Sequence, residues 1–426
     1  MSIVTHQQYH HQNVSIGFGT AALGHQCRQV VTMALREGFR KFDTAEADLW
    51  YDQDAVGGAL QAYFDDKLVR IMAENEGDGR DVDNAAAGGV RGGGVGEGNV
   101  EGGGKFGKCE QTSELVEDDF DCRSMHDDDT DDTPDADASS ATITINTIFD
   151  QCQNHGIEIS TKIPPWELTS VFNIRRRASK SRKILVGFCD ENIPTNGKRR
   201  GQAKLAEEKS LMKDKPRRHY PLDVYYIHAP TCWQGWHPRC NGVTPKDLLP
   251  LRKAWKAMEW VHHDGNAKRI GLSNVHPNDL LDIIRFVKER IEDAGNHNDN
   301  NDSPPPRMPD VVQAHADPIE PSILLRQICR DNNIEFVSYS TLGTQHAMRS
   351  GTNPVLGSNA LTKLAERHRR SVAEIVVGWA LRRGMSVIPR SSNRVHIRQL
   401  SSLLGGEEAW SFLTEGDLAV VDGLQR

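Results

Sequence analysis

Eight short apolar runs punctuate the chain, and most are followed by a stretch whose apolar residues recur at helical spacing. The runs are "SIGFGT" (15–20), "RKFDTA" (40–45), "IEISTKI" (157–163) and "LDVYYIHA" (222–229). They continue with "RIGLSNV" (269–275), "DVVQAHA" (310–316), "IEFVSYS" (334–340) and "MSVIPRS" (385–391). Between them lie segments such as "CRQVVTMALREG", "LRKAWKAMEWVHHDG" and "PSILLRQICRDNN". Strands that alternate with amphipathic helices imply parallel pairing through crossovers, and eight such units is the count that closes a barrel. Several runs are nearly continuous in apolar residues, as strands covered on both faces must be. A doubly wound sheet is the rival, but "GFGTAALG" lacks the GxGxxG spacing such a sheet wants after its first strand. The expected fold class is α/β, a (β/α)8 TIM barrel with long disordered or irregular insertions.

Three stretches break the pattern. Residues 74–140 hold 13 glycines, and their 20 Asp/Glu against 5 Lys/Arg give a local balance of −15. Such a segment cannot bury enough apolar area to offset its ordering entropy, so a disordered insertion is expected. The net charge of −8 therefore leaves +7 on the rest, a mildly basic balance that suits a binder of phosphorylated cofactors. Residues 191–219 read as a basic loop and 292–309 as a polar linker; residues 1–13 read as a flexible tail before one barrel domain, 14–426. The stretch 175–218 carries a net +10. Opposite charge on the two arms suggests a salt-sensitive flap, although two solvated tails are the plainer reading. No aromatic residues interleave the basic charges, so no nucleic-acid partner is expected. No apolar run approaches a membrane span, and "MSIVTHQQYHHQNV" lacks a secretory start. The eight cysteines are scattered without a CxxC pair, which fits reduced thiols and a cytoplasmic setting better than disulfides or a zinc site.

A barrel keeps its chemistry at the C-terminal ends of its strands. There this sequence offers Asp43, Lys162, His228, Ser273, Asn274, Gln313, Tyr339, Ser340, Arg390 and Ser391, with Tyr51 just beyond the second strand. Singly each has a bland role: Asp43 as a helix cap, Lys162 snorkelling at the rim, His228 and Tyr51 as packing. Together Asp, Tyr, Lys and His make a general acid. An ammonium nearby favours phenolate and lowers a tyrosine's pKa, a carboxylate aims the ammonium, and a neutral histidine orients a carbonyl oxygen. The hydride must come from a cofactor, because no side chain supplies one. Ser273, Asn274 and Gln313 suit a carboxamide, Tyr339 a flat ring, and Arg390 a phosphate.

With these residues the chain resembles the aldo-keto reductase superfamily, through "GFGTAAL", "ALREGFRKFDTAEA", "STKI", "YYIHAP", "IGLSN", "VVQ", "SYSTLG" and "VIPRSSN". The resemblance implies a (β/α)8 barrel that binds NADPH and reduces aldehydes or ketones. Its catalytic set falls on Asp43, Tyr51, Lys162 and His228. Its nicotinamide contacts fall on Ser273, Asn274, Gln313 and Tyr339, with Thr20 nearby, and its pyrophosphate loop on Ser340, Leu342 and Gly343. Arg390 and Ser391 take the place of the pair that grips the 2′-phosphate. The family's adenosine-side residues correspond to His396, Gln399 and Leu400, a departure for which Arg394 and Arg398 partly compensate.

The Asp-to-Tyr spacing is longer than the family's, and the usual count lands on Trp50. Tyr51 is the expected acid, because an indole cannot give up the proton this chemistry needs. An open pocket is expected, lined by Trp50, Trp166 and Trp233 or with the last two packed beneath loops. The expected partner is a small aldehyde or ketone, with no membrane and no metal, and the chain is expected to be monomeric. One alternative is a cofactor-binding scaffold or regulatory subunit on the same barrel. A metal-dependent hydrolase would want an HxH pair at the strand ends, which offer one His and one Asp.

Overall fold

A computed structural model of the 426-residue chain describes residues 14–77, 152–154, 156–190, 219–296 and 303–425. The chain divides into two compact units, residues 1–69 with 142–426, and residues 70–141. In the second, the described residues are 70–77, which belong to a helix.

The described residues of the first unit carry eight strands, all parallel, hydrogen-bonded in the order of the sequence. They are β1 (Phe18–Gly19), β2 (Lys41–Asp43), β3 (Glu158–Ile163), β4 (Leu222–Ile227), β5 (Ala267–Ser273), β6 (Val311–His315), β7 (Glu335–Tyr339) and β8 (Ser386–Val387). The sheet curls until its ends meet. Gly17 N donates to Val387 O at 2.8 Å, Val387 N to Ser15 O at 2.9 Å and Gly19 N to Pro389 O at 3.0 Å. Each of the eight strands overlaps an apolar run of the sequence; β5 starts two residues before its run, and the others lie within theirs.

Helices α1 (Cys27–Arg36) and α2 (Gln53–Gly77) follow the first two strands. Next come α3 (Val171–Val186), α4 (Leu251–His263), α5 (Pro277–Asn296) and α6 (Ile323–Asp331). After β7 stand α7 (Thr344–Ser350), α8 (Asn359–His368) and α9 (Val372–Arg382). After β8 stand α10 (Arg394–Ser401), α11 (Glu407–Trp410) and α12 (Glu415–Asp422). Helix α1 buries Cys27, Val30, Val31, Ala34 and Leu35, the one-sided stripe of a helix laid on a sheet. A capping box, Ser371 with Glu374, starts α9, which is buried almost all round.

Alternation along the strands divides the core in two. Tyr225, Ile227, Val312 and Phe336 point outward into the large cluster shared with the helices, whereas Val224, Tyr226, Val311 and Val337 meet inside the ring. Gly57 marks the closest approach of two helices: a Cβ there would lie 2.2 Å from Ile184 O on α3.

Two expectations are corrected. Disulfides join Cys152 to Cys189 and Cys232 to Cys240, while Cys27 and Cys329 are free and buried. Spacing alone hid the first pair, because its partners are 37 residues apart and are brought together by the fold. Of the segment 292–309, residues 297–302 lie outside the described residues, and the rest is not simply a linker. Its start finishes α5, and at its end Arg307 N donates to Glu259 Oε1 (3.0 Å) while Trp255 Nε1 donates to Arg307 O (2.9 Å). The prolines there hold the chain extended, so its backbone groups bond to side chains instead of a helix. Residues 78–140 and 191–218, and with them the charged flap, lie outside the described residues. Among the described residues no helix is long and apolar enough to cross a membrane.

Candidate active site

The parallel register delivers the polar residues to one end of the ring. Asp43 pairs with Ser160, Lys162 with Tyr226 and Ser273 with Gln313. Asp43 (4% exposed) and Lys162 (1%) are buried together. Lys162 Nζ donates to Asp43 Oδ2 at 2.5 Å and to Thr44 O at 2.9 Å, and Asp43 Oδ1 accepts from Gln313 Nε2 at 2.9 Å. Burial pulls the Lys162 ammonium below its ordinary value, and the Asp43 charge opposes that pull. Beneath them Thr20 donates to Asp43 O through both its backbone N (3.0 Å) and Oγ1 (2.9 Å).

Tyr51 lies in the turn between β2 and α2, its N donating to Ala47 O at 3.1 Å. Its ring centre is 5.5 Å from Lys162 Nζ and stands edge-on to His228 at 6.0 Å. Trp50 is 36% exposed and donates from Nε1 to Trp236 O at 3.4 Å. Of the two rings, Tyr51 is the one beside the Lys162 and His228 side chains. The expected lowering of the Tyr51 pKa is overturned. Burial pushes the phenol well above its ordinary value, and the Asp43 charge adds to the rise against a small opposing effect of Arg390.

His228 is held neutral. Burial first, and then the Lys162 charge, drive its pKa well below the usual value. Its N donates to Ile163 O at 2.9 Å, and its Nδ1 is buried without a hydrogen-bond partner. Asn274, in the left-handed region at φ 52°, donates from Nδ2 to His228 O (2.8 Å) and Ser273 Oγ (3.2 Å). Its Oδ1 accepts from Tyr339 OH at 2.6 Å, and burial pushes that phenol up to about 12.

The loop after β7 turns sharply. Ser340 is at φ 52° and accepts from Gly343 N at 2.9 Å, and Asn353 Nδ2 donates to Leu342 O at 2.8 Å. Gly343 is at φ 80°, and a Cβ there would meet Asn353 Oδ1 at 2.4 Å, so only glycine fits. At the β8 end Arg390 Nη1 donates to Ala21 O (2.9 Å) and Ala22 O (3.0 Å), while Ser391 Oγ accepts from Asn393 N (3.1 Å). His396 is exposed on α10. Arg394 and Arg398 on the same helix pair with Glu37 at 3.7 Å and 3.2 Å.

The sequence reading missed two groups. The loop after β4 brings Trp236 edge-on to His228 at 4.9 Å, stacks it on Trp233 at 4.3 Å and lays His237 on Trp166 at 4.4 Å. Trp166 is buried and Trp233 exposed, and the Cys232–Cys240 bond closes the loop that carries them. The signal was "CWQGWHPRC", two cysteines bracketing aromatics. Behind Lys162, Glu46 accepts from Arg177 Nε (2.7 Å), Ser181 Oγ (2.8 Å) and Tyr225 OH (2.6 Å), which sets the height of the β2 loop.

With this geometry in view, the chain matches the aldo/keto reductase family over residues 195–404. That span covers the later strands and leaves out Asp43, Tyr51 and Lys162. A 9,11-endoperoxide prostaglandin H2 reductase of Trypanosoma cruzi is 28% identical over 48% of this chain and 56% of its own length. Aldo-keto reductase family 1 member C3 of Homo sapiens is 30% identical over 48% of this chain and 59% of its own. The chain thus spans somewhat over half the length of the curated relatives it matches. Among solved structures, an aldose reductase from Giardia lamblia aligns with a TM-score of 0.54 at 17% identity, over 96% of this chain and 92% of that one. A mutant Gox0644 in complex with NADPH aligns with a TM-score of 0.51 at 19% identity, over 97% and 89%. These likenesses carry the fold.

Proposed function

We propose, from the chain's similarity to the aldo/keto reductase family, that it is an aldo-keto reductase and reduces aldehydes or ketones to alcohols with NADPH. One observation carries the reading: the Asp43–Lys162 pair is buried at the strand ends, with the Tyr51 ring beside Lys162 and the His228 ring edge-on to Tyr51.

The residues fit a nicotinamide dinucleotide. The Asn274 amide accepts from the Tyr339 hydroxyl and donates to Ser273, the Gln313 amide reaches Asp43, and the Ser340–Gly343 turn is tight enough to demand glycine. Bound NADPH supplies the hydride. Tyr51 holds the proton at its phenol oxygen and gives it to the substrate oxygen as negative charge grows there; the phenolate left behind faces the Lys162 ammonium, which Asp43 anchors. His228, neutral, hydrogen-bonds the carbonyl and fixes its approach. Trp236 packs edge-on to His228 and Trp166 packs against Trp236, which helps keep water from the imidazole. The phosphate side is the looser fit. Arg390 is already engaged by two carbonyls, and Glu37 holds Arg394 and Arg398, so a 2′-phosphate must compete for its cations.

The test is turnover of an aldehyde and ketone panel with NADPH by full-length protein, beside Tyr51→Phe. The variant should bind NADPH as before, by quenching of protein fluorescence, and lose about 10²–10⁴-fold in kcat. Unchanged turnover in Tyr51→Phe would remove the assigned acid. Tight NADPH binding with no turnover by the wild-type chain would favour a cofactor-binding scaffold.

A further inference from the structure

Away from the proton-handling cluster, His315, Asp317 and His346 bring three donor atoms within 4.8 Å of one another. His315 ends β6, Asp317 lies two residues beyond, and His346 stands in the first turn of α7. Their side chains are 12%, 0% and 13% exposed, so the group is almost closed to solvent. We propose that these three residues form a binding site for a divalent transition metal of the zinc class.

The arrangement has the parts such a site needs. Asp317 Oδ1 is fixed by Ile319 N (2.8 Å) and Glu320 N (3.0 Å), which turns Oδ2 towards the two imidazoles. Nε2 of His315 and Nε2 of His346 each lie 2.9 Å from that single oxygen. One carboxylate oxygen serves two ring nitrogens poorly, and His346 Nε2 is buried without a hydrogen bond of acceptable geometry. A cation among the three atoms would satisfy all of them. Metal bonds of about 2.0–2.1 Å in a tetrahedron set ligand atoms about 3.3 Å apart, so Asp317 Oδ2 and each imidazole nitrogen, 2.9 Å apart, need to open by only a few tenths of an ångström.

A support beyond the ligands is present as well. Glu320 Oε2 lies 3.3 Å from His315 Nδ1 and 3.0 Å from Arg349 Nη1, so a carboxylate, itself held in place, faces the ring nitrogen that would not bind metal. Two imidazole nitrogens and one carboxylate oxygen suit zinc, cobalt(II) or nickel(II), and are too nitrogen-rich for calcium or magnesium. The site joins the loop after β6 to the loop after β7, where the His315 and Tyr339 ring centres are 6.1 Å apart. It shares no residue with Asp43, Tyr51, Lys162 or His228, and it departs from the expectation that the chain holds no metal.

Histidines at the N-terminus would bind the same ions, so the test uses the full chain carrying His6→Gln, His10→Gln and His11→Gln. After chelation and dialysis this protein is titrated with Co²⁺, reading visible absorption and bound metal, and then challenged with Zn²⁺. One tightly bound equivalent is expected, with absorption that Zn²⁺ abolishes. His315→Gln and His346→Gln should each weaken binding about 10-fold or more, and Glu320→Gln by less. Circular dichroism checks each fold; if a histidine variant fails to fold, Asp317→Asn, which preserves the side-chain shape, is read in its place and should weaken binding equally. Absence of binding, or binding that the folded variants leave unchanged, overturns the site.

Discussion

Tyr51 and His228 are both pushed by burial, in opposite directions along the pH scale but to one end, two neutral rings beside the buried Asp43–Lys162 ion pair. The consequence for pH follows. On the function proposed above, reduction uses the protonated Tyr51 phenol, which a raised pKa preserves into the alkaline range, so kcat/KM for reduction should stay level from about pH 6 to about pH 9. Alcohol oxidation needs the phenolate, so its rate should climb roughly tenfold per pH unit over the same window. A pH profile of oxidation that levels off near neutrality would contradict the upward shift. Lys162 carries a different prediction. Lys162→Met leaves Asp43 buried against Gln313 with no cation, which should cost about 3–5 kcal/mol in urea unfolding as well as activity. These residues were legible because strand ends of a barrel are where chemistry sits. Their protonation was not, since the burial that fixes it comes from Trp236 and the loop after β4, whose path no local pattern announces.

Elements were read more surely than loops. Each strand overlaps an apolar run because being covered on both faces leaves a signal six to eight residues long. The linker at 292–309 was misread because Pro and Asn mark loops whether or not the loop is packed, and Trp255 reaching Arg307 O is a long-range contact. Two adjacent glycines in α2 make a test of packing against propensity. Gly57→Ala would drive a methyl to 2.2 Å from Ile184 O, backbone that cannot swing aside, whereas at Gly58 the nearest atom is 3.8 Å away, on the Arg28 side chain. Gly57→Ala should destabilise by about 1–3 kcal/mol. Gly58→Ala should be neutral or stabilise by up to about 1 kcal/mol, because alanine is the better helix former. Thermal unfolding of the two variants side by side distinguishes them; equal melting temperatures would mean that α2 and α3 do not meet this closely.

At the scale of the molecule, the cysteines were unreadable for the reason the barrel was readable: pairing depends on folded distance, and alternation depends on neighbours in the chain. The Cys152–Cys189 bond closes a loop of 37 residues around β3 and α3. Cross-links of that span typically contribute about 2–4 kcal/mol, so thiol reductant should lower the melting temperature, and a Cys152→Ser/Cys189→Ser variant should lose most of that sensitivity. Reductant with no effect on the wild-type chain would show the bond to be unformed. The ring's seam lies between Ser15 and Ser386, whose contact spans 371 residues. A ribosome making this chain delivers the first strand long before its second neighbour exists. Until then β1 has β2 on one side and an open edge on the other, free to pair with whatever strand comes near. The vulnerable period in the life of this protein is therefore its own synthesis, and a slow final step, the zipping of residues 15–19 against 386–389, should limit how fast it becomes safe from aggregation.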